Sequence, residues 1–352
     1  MRRKNVSSNL ILCFLGSLLL SGCLDITSTS KVNTDGSIVR TIAFMGDSTD
    51  VYAGKFPVQL DSSWNKNITR SKEKDRIYTL TASRTFRDVE KMNKVLSGTF
   101  SWTLQYRFEF EKSFQWFFTA YRYRETNLPF AQYTSIPLTE FLSKSEIDML
   151  VQDALGDTTK QPMSRGDSLA MEGLIPRVQE WEWRNKFEPI FMAFLDGAKM
   201  LNNPSLSTAM VQPLKDSLYR KSARAIDKGK IDSLRIIFKT VLKNPLVDKA
   251  WQANIPAIEE IKRRFEFEHE TNSHKYFTNV VMPGLITGSN ANKIEGNTAT
   301  WENFKERVHH MEYTMWVESR QVNWWAVIIA FVLVVTLMAA LIISALRRRS
   351  RA

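Results

Sequence analysis

The chain has 352 residues, 43% of them hydrophobic and 24% charged, with a formal net charge of +11 and two cysteines. Cysteines at positions 13 and 23 alone exclude a disulfide framework for the rest of the chain, whose stability must come from packing. Three basic residues precede position 23 and four follow position 346; setting these aside leaves +4, and no recognised nucleic-acid motif accompanies the charge, which excludes nucleic acid as a partner.

Arg2, Arg3 and Lys4 form a basic leader, and residues 10–20 an apolar stretch too short for an ordinary membrane span, so residues 1–22 read as a secretory signal. The run Leu20-Ser21-Gly22-Cys23 that follows resembles the lipobox of bacterial lipoproteins. That resemblance implies that Cys23 is acylated and that Cys13 leaves with the cleaved signal.

From Thr27 the pattern predicts a β-hairpin turning at Asn33-Thr34-Asp35-Gly36, with Ile38, Ile42 and Phe44 in its second strand. Residues 61–75 read as an exposed loop, 77–82 as a strand, and Phe86, Val89, Met92 and Leu96 as a short helix ending at Gly98. Alternation from Phe100 to Phe110 predicts a strand with one apolar face. Glu111-Lys112-Ser113 would then turn the chain into a second hairpin through Phe114, Trp116 and Phe118.

Near Pro137 the period changes. Ser143 with Glu146 fits a capping box starting a helix with Ile147, Leu150 and Val151 on its buried stripe. Residues 156–168 read as a mobile loop, and helices are expected at 178–201, 206–226, 231–242 and 247–268, kinked or divided at Pro189, Pro213 and Pro256. Strand character returns at 276–281, 285–287, 298–301 and from Met311 to Arg320. Residues 324–346 contain no charge, begin with Trp324 and Trp325, and precede Arg347, Arg348 and Arg349. They read as a transmembrane helix with its basic tail, 347–352, in the cytoplasm.

The expected fold is α+β: a β-rich membrane-proximal domain formed by 23–136 and 273–320, a large helical insertion at 137–272, and one C-terminal transmembrane helix. Residues 273–320 are too few to fold alone without disulfides or metal, which favours the discontinuous arrangement. The turn Asn33-Thr34-Asp35-Gly36-Ser37, the later Met282-Pro283-Gly284, Ser289-Asn290, Gly296-Asn297 and Trp301, and the terminal helix are together similar to the LppM-type lipoprotein domain. The resemblance implies a role at the cell envelope, with binding of lipid or a lipidated glycan.

Catalytic patterns are thin. Gly46-Asp47-Ser48 after a strand resembles the first block of the SGNH esterases, and Gly166-Asp167-Ser168-Leu169 repeats the letters. That chemistry needs a histidine with an aspartate three residues before it, and His269, His274, His309 and His310 follow Glu266, Thr271, Glu306 and Arg307 instead. Ser48 therefore reads as a loop residue. Glu266, His269 and Glu270 share a helical face but lack a second ligand cluster, so no metal and no cofactor are expected. The basic stretch Lys66, Arg70, Lys72, Lys74 and Arg76 reads as mixed surface charge, Trp181 and Trp183 as core, and Ala340 with Ser344 as a small-residue spacing open to helix pairing.

The expectation is a non-enzymatic envelope lipoprotein on the outer face of the cytoplasmic membrane. Lipid on Cys23 and the helix 324–346 hold it there, with Trp324, Trp325, Arg347, Arg348 and Arg349 at the membrane interfaces. Its partners would be membrane lipid and an envelope protein reached through the helical insertion. The alternative is binding of a lipid or other apolar ligand in the β domain, with an envelope hydrolase third.

Overall fold

The structure is a computed structural model and describes residues 24–53, 58, 60–71, 77–96, 105–129, 134–154, 165–272, 274–302 and 312–349. Strands β1 (Asp25–Val32) and β2 (Ile38–Asp47) form the predicted hairpin. Asn33 N–H donates to the Ser37 carbonyl at 2.9 Å, and Gly36 takes a φ of 89° that a side chain would resist. The Asp35 carboxylate accepts the Ser37 hydroxyl and N–H at 2.7 and 2.9 Å, which holds its pKa below the usual range.

A short helix α1 (Ser48–Ala53) follows β2 directly, so Ser48 opens a helix rather than sitting in a loop. Strand β3 (Asn65–Arg70) is exposed at all six positions, where a loop was expected. It is an edge strand hydrogen-bonded to β4 (Ile77–Phe86), and a strand with neither face buried carries no apolar alternation to betray it. Helix α2 (Val89–Leu96) buries Met92 and Leu96, and the Asn93 carboxamide exchanges two hydrogen bonds with the Phe108 backbone at 2.7 and 2.8 Å.

Strands β5 (Tyr106–Gln115) and β6 (Phe118–Asn127) make the second hairpin, but Glu111, Lys112 and Ser113 stay within β5 and the turn is Trp116-Phe117. Glu111 and Lys112 find partners from neighbouring strands and the β1–β2 turn. Glu111 pairs with Arg122 at 3.2 Å, and Lys112 lies 5.9 Å from the Tyr121 ring while donating to the Thr34 carbonyl at 2.7 Å. Residues 100–104, the start of the predicted strand, lie outside the described residues, as does Gly98.

Helix α3 (Lys144–Ala154) carries the predicted capping box: Ser143 N–H donates to Glu146 at 2.7 Å, and Glu146 N–H to the Ser143 hydroxyl at 3.4 Å. Helix α4 (Arg165–Met200) starts 13 residues before its predicted onset. Its first residues, 165–168, fall in what was read as a loop, and Pro176 and Pro189 are both absorbed without dividing it. Residues 155–164 are outside the described set. After a 3-10 turn at Pro204–Leu206 come α5 (Thr208–Val211), a 3-10 turn at Gln212–Leu214, α6 (Lys215–Asp227), α7 (Ile231–Leu242), α8 (Val247–Ala253) and α9 (Ile255–Asn272). Pro213 sits in the turn between α5 and α6, and Pro256 starts α9 afresh after α8, as its missing N–H allows.

The remaining strands are β7 (Lys275–Val281), β8 (Leu285–Ser289), β9 (Lys293–Glu295), β10 (Thr298–Glu302) and β11 (Tyr313–Val322). They complete two sheets begun before the helices. One runs β3-β4-β2-β1-β7-β10-β9, with β1 and β7 parallel; the other runs β5-β6-β11-β8. Asn290 joins them: its Oδ1 accepts from Trp301 Nε1 of β10 at 3.1 Å and from Trp316 N–H of β11 at 2.9 Å.

Two clusters of buried side chains result. The first lies on the sheets and takes in Leu138 and Leu142 from the segment before α3, and Leu174, Trp181 and Phe267 from α4 and α9; the second runs from Phe187 to Phe265 and packs Phe187, Phe191, Phe194, Phe238 and Trp251. The change from strand to helix falls near 137, whereas the clusters divide along α4 between Trp181 and Phe187. Helix α10 (Trp324–Arg349) ends the described chain; its segment Trp324–Ser344 is largely exposed, and is long and apolar enough to cross a membrane.

Candidate functional site

Between the sheets lies a polar cluster that the sequence reading missed. Arg40 on β2 donates from both Nη atoms to the carboxylate of Glu125 on β6, at 2.7 and 2.8 Å, with the two side chains 2% and 0% exposed. Arg40 Nη1 also donates to Ser30 Oγ at 2.7 Å, Ser30 Oγ meets the Tyr123 hydroxyl at 3.0 Å, and that hydroxyl donates to Glu125 at 3.3 Å. The guanidinium sits 5.5 Å from the Phe108 ring centroid. Burial alone lowers the pKa of Arg40, and the charge and hydrogen bonds of Glu125 reverse this, so the net shift is upward and the guanidinium stays charged. Burial raises the Tyr106 and Tyr123 hydroxyls above their ordinary value. The cluster clamps one sheet to the other.

Contacts along β1 also orient the sandwich. The β1–β2 turn meets Phe110 and Lys112 of β5, four to six residues from the β5–β6 turn, while Arg40, opposite Ser30 further back along β1, lies 6.0 Å from the ring of Tyr106 at the other end of β5. Leu24 therefore lies at the end of the sandwich remote from the β5–β6 turn, roughly 26 Å back along the chain from Val32. Leu24 is 2% exposed; its N–H donates to His274 Nδ1 at 3.3 Å, and its carbonyl accepts from Lys275 at 3.0 Å. Cys23 itself is outside the described residues, as are residues 1–22.

The second candidate is a cleft of about 420 Å³ among the helices. Ile226, Ile231 and Phe265 give it an apolar floor, and Lys186, Asp227, Lys228, Lys262, Glu266 and Glu268 line it with charge of both signs. Lys186 and Glu268 form a largely buried pair at 2.8 Å, and Lys262 reaches Asp232 at 3.0 Å. Gly229, at φ 63°, forms the α6–α7 bend that opens it. This arrangement can hold a polar chain with an apolar edge.

The remaining predicted residues scatter. Trp324 and Trp325 open α10 and are exposed, and Arg347–349 close it. Ser48 is exposed at the end of β2, and His309 and His310 lie outside the described residues. Glu266 lines the cleft, while His269 and Glu270 fall in the last turn of α9. Among the described residues no group of three or more His, Cys, Asp or Glu side chains could hold a metal ion. Lys66 and Arg70 stand on the edge strand β3, and Lys72, Lys74 and Arg76 are outside the described set. Trp181 is buried and donates to the Ile136 carbonyl at 2.7 Å, and Trp183 packs partly buried on the second cluster. The first turn of α10 touches a group of exposed aromatic side chains at the β5–β6 turn, where Phe114 stacks on Trp325.

No family model and no curated protein match the chain. Among solved structures it is similar to the folded domain of LppM from Mycobacterium tuberculosis, determined by NMR, at 8% identity over 92% of this chain and 97% of that one. The TM-score is 0.28, too low to transfer anything from that protein to this one.

Proposed function

We propose that the protein is a bacterial envelope lipoprotein, anchored in the cytoplasmic membrane by α10 and by acylated Cys23, that binds a partner and catalyses nothing. The cleft carries this reading. It sits among helices that have a buried cluster of their own and is lined by paired charges over an apolar floor, which suits a protein segment better than a small substrate. The space between the sheets is a weaker place for a ligand, because Phe44, Arg40, Phe108, Tyr123 and Glu125, all at most 2% exposed, already occupy it.

Anchoring at both ends then fixes a posture. Only Leu24 separates Cys23 from β1, at the end of the sandwich remote from α10. For both anchors to enter one leaflet, the strands must lie along the bilayer instead of standing on it.

The test is to purify the full chain from its native membrane, with and without Lys228→Glu and Lys262→Glu, and identify co-purifying proteins and lipids by mass spectrometry. A stoichiometric protein that the double variant retains about tenfold less well supports the reading, since opposed charge at a contact costs that much or more. A stoichiometric lipid insensitive to the cleft variant, with no protein, overturns it in favour of lipid binding.

A further inference from the structure

The β5–β6 turn carries three large aromatic side chains outward. Phe114, Trp116 and Phe117 are 56%, 54% and 48% exposed, and Val322, opposite Phe118 at the end of β11, and Leu285, opposite Arg320 at the start of β8, are exposed nearby. Trp116 holds a φ of 42°, in a turn position where asparagine or glycine is the usual residue. Large aromatic side chains exposed side by side mark an interaction surface.

This turn is attached to α10. Phe114 stacks on Trp325 with centroids 6.0 Å apart, and Trp116 meets the same ring edge-on at 5.9 Å. Asn323, the single residue between β11 and α10, donates its N–H to the Phe117 carbonyl and its side-chain amide to the Trp116 carbonyl, each at 2.8 Å. Its Oδ1 accepts from the Thr119 hydroxyl at 3.0 Å, and its carbonyl accepts from Ala326 N–H at 2.9 Å. Ala326 is fully buried, so the first helical turn is seated before the helix leaves the body.

A spanning helix sets the depth of whatever touches its first turn. Tryptophans at that position lie where head groups meet hydrocarbon, and rings held about 6 Å from Trp325 share that level. We infer that the β5–β6 turn is a further membrane contact beside α10, with Phe114, Trp116 and Phe117 entering the interfacial layer of the leaflet that α10 enters first. The inference rests on α10 spanning the membrane. Its patch is continuous with Trp324 and Trp325, and its occupant is the lipid surface. A contact beside the helix, tied to it through Asn323, fixes the tilt and rotation of the body on the bilayer.

The test uses the full chain in vesicles of phosphatidylethanolamine and phosphatidylglycerol containing lipids brominated near the top of the acyl chain. Subtracting the fluorescence of Trp116→Phe isolates Trp116, and subtracting that of Trp324→Phe/Trp325→Phe isolates the helix pair. Brominated lipid should quench the Trp116 signal by about half or more, while aqueous iodide leaves it unchanged, as for an interfacial aromatic. Quenching by iodide and not by lipid overturns the inference, and so does protection from both, which would place a protein partner or a second copy on the turn. If the helix pair is lipid-quenched and Trp116 is not, the inference fails while the anchor stands; if neither is, the anchor reading fails as well. Should Trp116→Phe not fold, Phe117→Trp reads the same depth by addition.

Discussion

At the scale of single residues, the Arg40–Glu125 pair decides how the two sheets are held. Removing one partner leaves a charge stranded at 2% exposure or less, so Glu125→Leu or Arg40→Met alone should cost about 3–5 kcal/mol. The double variant should recover most of that loss, because the two remaining side chains are apolar and similar in volume. Urea unfolding of the four proteins in detergent closes the cycle; equal losses in single and double variants would show that the pair does not act as a unit. Glu146 makes a pH-dependent contribution instead. The hydrogen bond from Arg177, followed by those from Ser143, lowers its pKa from 4.5 to about 2. A carboxyl with a depressed folded pKa stabilises above its unfolded value and loses that contribution as pH falls through the folded one, here between about 4.5 and about 2. The advantage of the native chain over Glu146→Gln in thermal unfolding should shrink across that window, and a constant difference would remove Glu146 as its source.

At the scale of elements, α4 offers an internal comparison. A Cβ at Gly197 would lie 2.1 Å from the Ala250 carbonyl of α8, whereas one at Gly173 meets nothing within 4 Å. Gly173→Ala should therefore gain about 0.5–1 kcal/mol from helix propensity. Gly197→Ala should lose about 1–3 kcal/mol as α8 is pushed away. Opposite shifts in melting temperature would bear this out, and shifts of the same sign would mean that α4 and α8 do not pack as closely as their backbones indicate. Elements whose order is local were legible in the sequence: the β1–β2 turn, the Ser143–Glu146 cap, the bounds of α7 and the apolar run of α10 all follow from residues a few positions apart. What escaped depends on neighbours distant in the chain. Strand β3 has no buried face and exists because β4 lends it hydrogen bonds. Glu111 and Lys112 look like a turn until Arg122 and Tyr121 come opposite them. Arg40 did leave a trace, since it shares the inward parity of Ile38, Ile42 and Phe44, as Glu125 shares that of Tyr121 and Tyr123. One charge on the apolar parity of each of two strands is the pattern of a buried pair, though their 85-residue separation hides which two meet.

At the scale of the whole molecule, α4 is the beam on which both buried clusters hang. Its 36 residues extend about 54 Å, with Leu174 and Trp181 in the sheet cluster and Phe187 to Ala198 in the helical one. Where the chain is cut therefore decides whether the sandwich survives. Removing 137–272 takes Leu138, Leu142, Leu174, Trp181 and Phe267 out of the sheet cluster, and at about 1.5–3 kcal/mol for each buried large side chain the loss is as large as the whole stability of a typical domain. Replacing only 187–265 keeps those five residues and the Lys186–Glu268 pair, whose 2.8 Å contact places α4 and α9 side by side at the cut. A glycine–serine linker of about four residues can bridge neighbouring helices there. The shorter excision should give a cooperatively unfolding, protease-resistant protein that still inserts through α10, and the longer one should not. Loss of folding in both would mean that the helical cluster is needed to close the long connection between β6 and β7. If the shorter excision folds, it also removes most of the cleft while leaving Cys23, α10 and the β5–β6 turn in place, so that the proposed attachment to the membrane is tested apart from the proposed attachment to a partner.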